Sequence, residues 1–147
     1  VNGSATSATP TFETYWDNTY KAISRAVRVI ESIERLGDGD AYAALKAEAY
    51  FFRAYMYARL VICWGDAPFY TSSITVEEAY DMGRTDKEII KKQVMEDFDA
   101  AIAGLPEQNA NGGVIRVDKG TAMACKARVA HGATTRPAPS SARRSWT

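Results

Sequence analysis

The stretch from Ala47 to Tyr70 constrains the fold more than any other part of this chain. It has the sequence AEAYFFRAYMYARLVICWGDAPFY, so apolar and aromatic residues occur on nearly every side of a predicted helix. A helix of this kind is typical of the interior of a helical bundle. We therefore expect four of its aromatic side chains to lie in the core, namely Phe51, Phe52, Tyr55 and Tyr57.

Apolar stripes with steps of three and four residues flank this segment and predict further helices. The stripe of a first helix, from Phe12 to Leu36, consists of Trp16, Tyr20, Ile23, Val27, Ile30 and Ile33 or Glu34. That of a third helix consists of Ile90, Val94, Phe98, Ala101, Ile102 and Leu105. A fourth helix, from Lys119 to Ala130, is expected to place four residues inward, namely Ala122, Met123, Ala127 and Ala130. With the second helix at Ala41 to Trp64, the chain is predicted to be all-α.

Polar residues that cap helices mark the predicted boundaries. Asp40 is the expected N-cap of the second helix. Thr85 and Glu88 have the spacing of a capping box for the third helix, and Asp118 is the expected cap of the fourth. The connections at 65–84 and 109–113 are predicted to be loops.

The four helices form two helix–loop–helix pairs. Long helices joined by short loops pack antiparallel. Each pair has an apolar face that it cannot bury alone, which is typical of tetratricopeptide-like stacking. The long connection between Gly65 and Arg84 argues against a regular repeat.

Composition divides the chain into three parts. Residues 1–10 are rich in Ser, Thr and Ala and are expected to be loose, whereas residues 11–131 form the helical region. After His131 the sequence becomes basic, contains two prolines and lacks acidic residues, so 132–147 is expected to be disordered. The abrupt change favours a frameshift, and a genuine basic linker is the alternative.

Charge and motifs exclude several function classes. Lys plus Arg equals Asp plus Glu at 18 each, so the chain lacks the basic excess typical of nucleic-acid binders. The single histidine, His131, and the distant Cys63 and Cys125 do not make a zinc site. Both cysteines are expected to be buried thiols, although a disulfide stays open. No nucleophile, acid–base or phosphate-loop motif occurs, so no catalytic residue, metal or cofactor is predicted.

Three ordered blocks of this sequence resemble the SusD-like (RagB/SusD) family. The first contains Ala47, Glu48, Ala49, Phe52, Arg53, Ala54, Tyr55, Tyr57, Leu60, Val61, Gly65, Asp66, Pro68 and Phe69. The second contains Glu96, Asp97, Phe98, Ala100, Ala101, Leu105 and Pro106. The third contains Arg116, Val117, Lys119, Gly120, Ala122, Ala124, Lys126, Ala127, Arg128 and Val129.

The resemblance implies a role in nutrient uptake rather than an enzymatic one. Family members are cell-surface lipoproteins of Bacteroidetes that bind glycans and cooperate with a TonB-dependent outer-membrane transporter. The signal peptide and lipobox cysteine of the family would precede Val1. The oligosaccharide contacts would come mainly from a larger C-terminal region, so we expect this chain to bind no glycan on its own. The alternative is a helical protein–protein adaptor.

Candidate site residues are few. Arg53, Gly65, Asp66 and Pro68 are interpreted as structural organisers. Arg53 needs a partner in a buried helix, either Glu48 or Asp66, although Asp66 could instead cap amides of the Gly65 turn. Sugars stack on exposed aromatic rings, and Tyr70 is the aromatic residue with the best prospect of exposure.

Overall fold

The computed structural model describes residues 10–37, 39–108, 110–111 and 114–135, and this part of the chain is mostly helical. The long helices are α1 (Pro10–Arg35), α2 (Ala43–Trp64), α4 (Lys87–Gly104) and α5 (Lys119–Thr135). The short elements are a 3-10 turn (Asp40–Tyr42), α3 (Val76–Asp81), and the paired strands β1 (Ala110–Asn111) and β2 (Val114–Ile115). The predicted all-α class is confirmed.

The long helices stack as two antiparallel pairs. At one end of the first pair, the ring of Trp16 in α1 lies edge-on to that of Trp64 in α2, with centroids 5.2 Å apart. At the other end, Lys46 and Glu34 pair at 3.3 Å. On its other side, α2 packs against α4, and α5 packs against α4 in turn. This arrangement confirms the predicted tetratricopeptide-like stacking.

The core lies where α2 meets α1 and α4. The predicted stripes supply much of it, and their buried members are Ile23, Val27, Ile30, Ile33, Ile90, Val94, Phe98, Ala101 and Leu105. Glu34, the alternative to Ile33 in the first stripe, is exposed. Periodicity therefore identified the inward faces of α1 and α4 correctly.

A close backbone approach joins the end of α4 to the start of α2. A Cβ atom added to Gly104 would lie 2.8 Å from the Cβ of Ala47, closer than two such atoms can pack. Glycine at this position therefore allows α4 to reach its full length against α2. The helix then ends at Leu105, which has an extended backbone.

The prediction that α2 is buried on nearly every side is wrong in part. Phe51 and Tyr57 are buried, but Tyr55 is half-buried and Phe52 is 42% exposed. The reason is geometric, because α1 and α4 cover only two sides of α2 among the described residues. None of the described helices is long and apolar enough to cross a membrane.

Helix α5 departs from its predicted face and length. Ala122 is buried, whereas the other residues expected to point inward are exposed, and these are Met123, Ala127 and Ala130. Because α5 is rotated about its axis, Cys125 and Val129 turn toward the core instead. The helix also extends to Thr135, past its predicted end at Ala130. The predictions of a loose N-terminal segment and of a frameshift fall mainly on residues 1–9 and 136–147, which lie outside the described part of the chain.

The predicted N-caps of two helices are also wrong. Asp40 lies in the 3-10 turn, and α2 begins after Tyr42 without a side-chain cap. At α4 the cap is Asp86, whose carboxylate accepts a hydrogen bond from the Glu88 amide at 2.7 Å. Thr85 instead pairs through its backbone with Ala67. The start of α2 therefore lacks a side-chain cap, and α4 is capped by the residue that follows the predicted one.

Two smaller features complete the fold. Asp118 caps α5 as predicted, since its carboxylate accepts from the Thr121 amide at 2.7 Å. The 65–84 connection contains α3, which was not predicted. Its capping box, in which Thr75 and Glu78 bond each other's amides, is visible in the sequence. The predicted loop at 109–113 contains strand β1.

Candidate functional site

Tyr70 lies on an irregular segment that leaves the end of α2. The helix stops at Gly65, whose φ of 74° lies in the left-handed region that favours glycine. Ala67 then pairs with Thr85 through backbone bonds of 2.9 and 3.3 Å. The carboxylate of Asp66 accepts from the Lys87 amide at 3.0 Å, which ties the same turn to the start of α4. Asp66 is therefore a capping residue, but for α4 rather than for the Gly65 turn.

Side chains from α1 and α2 hold the backbone of residues 68–73. The Tyr20 hydroxyl donates to the Pro68 carbonyl at 2.8 Å. The Tyr57 hydroxyl donates to the Tyr70 carbonyl and accepts from the Tyr70 amide, both at 2.9 Å. Because these hydrogen bonds hold the backbone of the loop, they also fix the position of the Tyr70 ring.

Two further side chains secure the far end of the same segment. Arg53 donates from Nη1 to the Thr71 carbonyl at 3.1 Å. The carboxylate of Glu31 accepts from the amide and from the hydroxyl of Ser73. These hydrogen bonds lower the pKa of Glu31, with the Ser73 hydroxyl contributing most.

The main partner of Arg53 is neither of the two candidates from the sequence. Its Nε and Nη2 donate to the two carboxylate oxygens of Asp97 on α4, at 2.7 and 2.8 Å. Glu48 pairs instead with Arg116, at 2.8 Å from Nε to Oε1. The sequence could not reveal the Asp97 pairing, because Arg53 and Asp97 are 44 positions apart and meet only when α2 packs on α4.

An open cleft of about 670 Å³ lies between α1 and the segment that runs from Pro68 to Met82. Its lining residues are Trp16, Asp17, Tyr20, Lys21, Ser24, Arg25, Arg28, Pro68, Tyr70, Ile74, Ala79 and Met82. The rings of Tyr20 and Tyr70 stack with centroids 6.3 Å apart, and Trp16 lies 4.9 Å from Tyr20. The cleft thus combines a half-buried aromatic wall with charged side chains.

Burial raises the pKa of the tyrosine hydroxyls in this region. Desolvation is the main cause that raises the pKa of Tyr20, Tyr57 and Tyr70 above the ordinary value for a phenol. The positive charge of Arg28 partly opposes this effect on the pKa of Tyr70. These hydroxyls therefore serve as hydrogen-bond donors and acceptors rather than as acids at neutral pH.

The structure brings Tyr70 and Pro68 to the cleft but leaves the cysteines elsewhere. Cys63 is exposed and Cys125 is half-buried, and both are free thiols. The prediction of a buried Cys63 is wrong, because this residue lies on the uncovered side of α2. No group of residues in the described part of the chain could hold a metal ion.

Sequence reasoning missed the contribution of α1 to this site. The predicted core stripe includes Trp16 and Tyr20, yet both are half-buried and line the cleft. The basic residues beside them, Lys21, Arg25 and Arg28, repeat at steps of four and three. This second periodicity was the sequence signal for a basic side of α1. Only the packing of the Pro68–Met82 segment against α1 shows that this side faces a cleft.

Comparison with known proteins gives the same fold and a family. A SusD-like family model, described as starch-binding and associating with the outer membrane, matches residues 1–130. The SusD-like protein P25 of Formosa agariphila is 34% identical over 88 residues, which cover 58% of this chain and 17% of that protein.

Solved structures extend the similarity to three dimensions. A SusD-like carbohydrate-binding protein of Bacteroides fragilis superposes with a TM-score of 0.80 at 29% identity, over 86% of this chain and 25% of that one. Another SusD-like protein of the same organism has a TM-score of 0.74 at 24% identity, over 85% and 25% of the two chains. This chain thus spans about a quarter or less of each of these relatives. With the family model matched along almost all of the helical region, the chain belongs to the SusD-like family.

Proposed function

We propose that this protein binds an oligosaccharide at the bacterial surface, and that the cleft between α1 and the Pro68–Met82 segment provides part of the contact surface. The observation that carries the proposal is the position of Tyr70, whose ring lines an open cleft on a backbone held by hydrogen bonds. Sugar rings have apolar faces that pack on aromatic rings and hydroxyl groups that bond to polar neighbours. Binding is non-covalent and involves no chemical step.

The presence of this cleft changes one expectation drawn from the sequence. The resemblance implied that the chain would bind no glycan by itself, because the contacts would come mainly from a C-terminal region. A half-buried aromatic wall with adjacent polar groups supports a contribution from the helical region as well. A site of this size, open on one side, is expected to bind weakly, with a Kd on the order of 1 mM.

Isothermal titration calorimetry of the 147-residue chain with a panel of tetrasaccharides tests this proposal. Tyr70→Ala is expected to weaken binding to at least one glycan by about fivefold or more, since one stacked ring contributes about 1 kcal/mol. Tyr80→Ala is the matched control, because Tyr80 is 87% exposed on α3 and does not line the cleft. Circular dichroism of both variants checks that the helices remain folded.

Absence of saturable binding to every glycan in the panel would contradict the proposal. Equal binding by both tyrosine variants and by the original chain would do so as well, because it would place the sugar outside the cleft. Localisation by NMR gives an independent readout. The indole N–H signal of Trp16 should shift on titration, whereas that of Trp64, which does not line the cleft, should shift less.

We further propose that the protein is lipid-anchored and passes its ligand to a TonB-dependent outer-membrane transporter. This part is supported by family membership, since the family is described as associating with the outer membrane. A tagged chain expressed in a Bacteroidetes host should co-purify with a transporter from detergent-solubilised outer membranes. Recovery of a soluble peptide-bearing partner without any transporter would favour the protein–protein adaptor instead.

A further inference from the structure

One side of α1 carries a row of cations along the wall of the cleft. Lys21, Arg25 and Arg28 follow each other at steps of four and three, so they lie about one helical turn apart on the same side. All three are exposed, and all three line the cleft together with Tyr70. A ligand that rests against the aromatic wall is therefore within reach of these side chains.

Within the described part of the chain, carboxylates balance this row of positive charge only in part. Asp17 is the one acidic residue among those that line the cleft. Within the described part of the chain, Lys21, Arg25 and Arg28 form no ion pair. Glu31, the next acidic residue along α1, uses its two carboxylate oxygens to hold Ser73. The cleft therefore has more cations than carboxylates, although the whole chain has a net charge of zero.

The type of cation also bears on the ligand. A guanidinium group binds planar and tetrahedral oxyanions through paired N–H donors, and it is more easily desolvated than an ammonium group. Two of the three cations are arginines. Arg28 and Tyr70 line the same cleft, so a charged group and a stacking surface face the same space.

We propose that the cleft selects oligosaccharides that carry negative charge, as carboxylate or sulfate groups, over neutral ones of the same shape. The inference rests on the proposed function of the cleft as a glycan site and names the class of glycan. Tyr70 and Trp16 would contact the apolar faces of the sugars, and Arg25 and Arg28 would contact the anionic substituents.

Calorimetry with matched ligand pairs tests this inference on the 147-residue chain. The first pair is tetragalacturonic acid and the same tetramer with its carboxyl groups methyl-esterified. The second pair is a sulfated carrageenan tetrasaccharide and its desulfated form. Within each pair the sugar skeleton is constant and the anionic group is masked or removed, so the salt-dependent part of the difference in Kd measures the contribution of charge.

The charged member of at least one pair is expected to bind about three- to tenfold more tightly at low salt, because each exposed cation contributes up to about fivefold. At about 0.5 M NaCl the preference should largely disappear, since screening shortens the Debye length to a few ångströms. The double variant Arg25→Gln with Arg28→Gln should also lose it. Arg35→Gln should keep it, because Arg35 is exposed on the same helix but does not line the cleft.

The outcomes separate this inference from the proposed function. A preference in the first pair alone identifies a uronate ligand, and a preference in the second alone identifies a sulfated one. If neutral members bind and charged members bind no better, the inference is refuted and the glycan site stands. The inference is also refuted if the double variant retains the full preference. If no ligand of either pair binds, charge selection is refuted, and the tetrasaccharide panel decides whether glycan binding by the cleft stands.

Discussion

Replacing Asp97 by asparagine should destabilise the protein strongly, because Asp97 is the counter-charge of the buried Arg53. The Arg53 side chain is 6% exposed and that of Asp97 is 3% exposed, and two hydrogen bonds of 2.7 and 2.8 Å join them. Burial alone lowers the pKa of the Arg53 guanidinium, but the hydrogen bonds and charge of Asp97 outweigh that effect and raise it. Asp97 thus supplies the counter-charge that the buried guanidinium requires.

The magnitude follows from the charge that the substitution leaves behind. Asp97→Asn retains the shape of the side chain but leaves the guanidinium of Arg53 buried without a counter-charge. Breaking a buried pair in this way costs about 3 to 5 kcal/mol. Single domains are stable by about 5 to 15 kcal/mol, so the loss is a large fraction of the total. For a chain of this size it corresponds to a fall in Tm of about 6 to 20 °C.

Urea denaturation followed by circular dichroism in the far ultraviolet measures the loss. Asp99→Asn is the matched control on the same helix, because Asp99 pairs with Lys126 at the surface and its side chain is 64% exposed. The control should cost at most about 1 kcal/mol. A further variant with Arg53→Met and Asp97→Leu should recover most of the lost stability, since it removes both charges. Equal losses for Asp97→Asn and Asp99→Asn would refute the reasoning.

Two further predictions concern packing and pH. Gly104→Ala should lower the free energy of unfolding by about 1 to 3 kcal/mol, because the new methyl group would lie against Ala47. Gly120→Ala is the control and should not lower it, because a methyl group at Gly120 would make only ordinary contacts. Equal urea midpoints for the two variants would contradict this prediction. The Ser73 hydrogen bonds lower the pKa of Glu31 in the folded protein. They therefore stabilise the folded protein at a pH above the usual pKa of a glutamate, and this stabilisation is lost as the pH falls through the lowered pKa of Glu31. The Tm difference between the original chain and Glu31→Gln should therefore narrow as the pH is lowered from neutral to about 3, and a constant difference would argue against the bond.

Sequence patterns predicted the inward face well where a helix has a single apolar stripe, as in α1 and α4. Most stripe residues of α1 and α4 are buried as expected, because burial of a three-four spaced apolar face is the main source of helix stability in proteins. The same reasoning failed for Phe52 and Met123, which are exposed. An apolar residue shows that burial is favourable, but it does not show which side of its helix a neighbour will occupy.

The candidate site was only partly predictable. Tyr70 stands out in the sequence because it follows Pro68 in a polar loop. The surroundings of Tyr70 are not visible in the sequence, because Tyr20, Tyr57 and Glu31 are between 13 and 48 positions away from the loop residues to which they form hydrogen bonds. Hydrogen bonds over such separations leave no local pattern in the sequence.

The sequence by itself determined the helical class, the family and the residues that can form a buried core. These follow from local periodicity, local turn chemistry and the ordered family blocks, all of which are written along the chain. Only the tertiary structure decided that Arg53 pairs with Asp97, that α5 turns Val129 rather than Met123 inward, and that the basic side of α1 faces Tyr70. The physical reason is that each of these contacts depends on how two packed helices, or a helix and a loop, are rotated and spaced relative to each other. Sequences with the same periodicity can pack with different rotations and spacings.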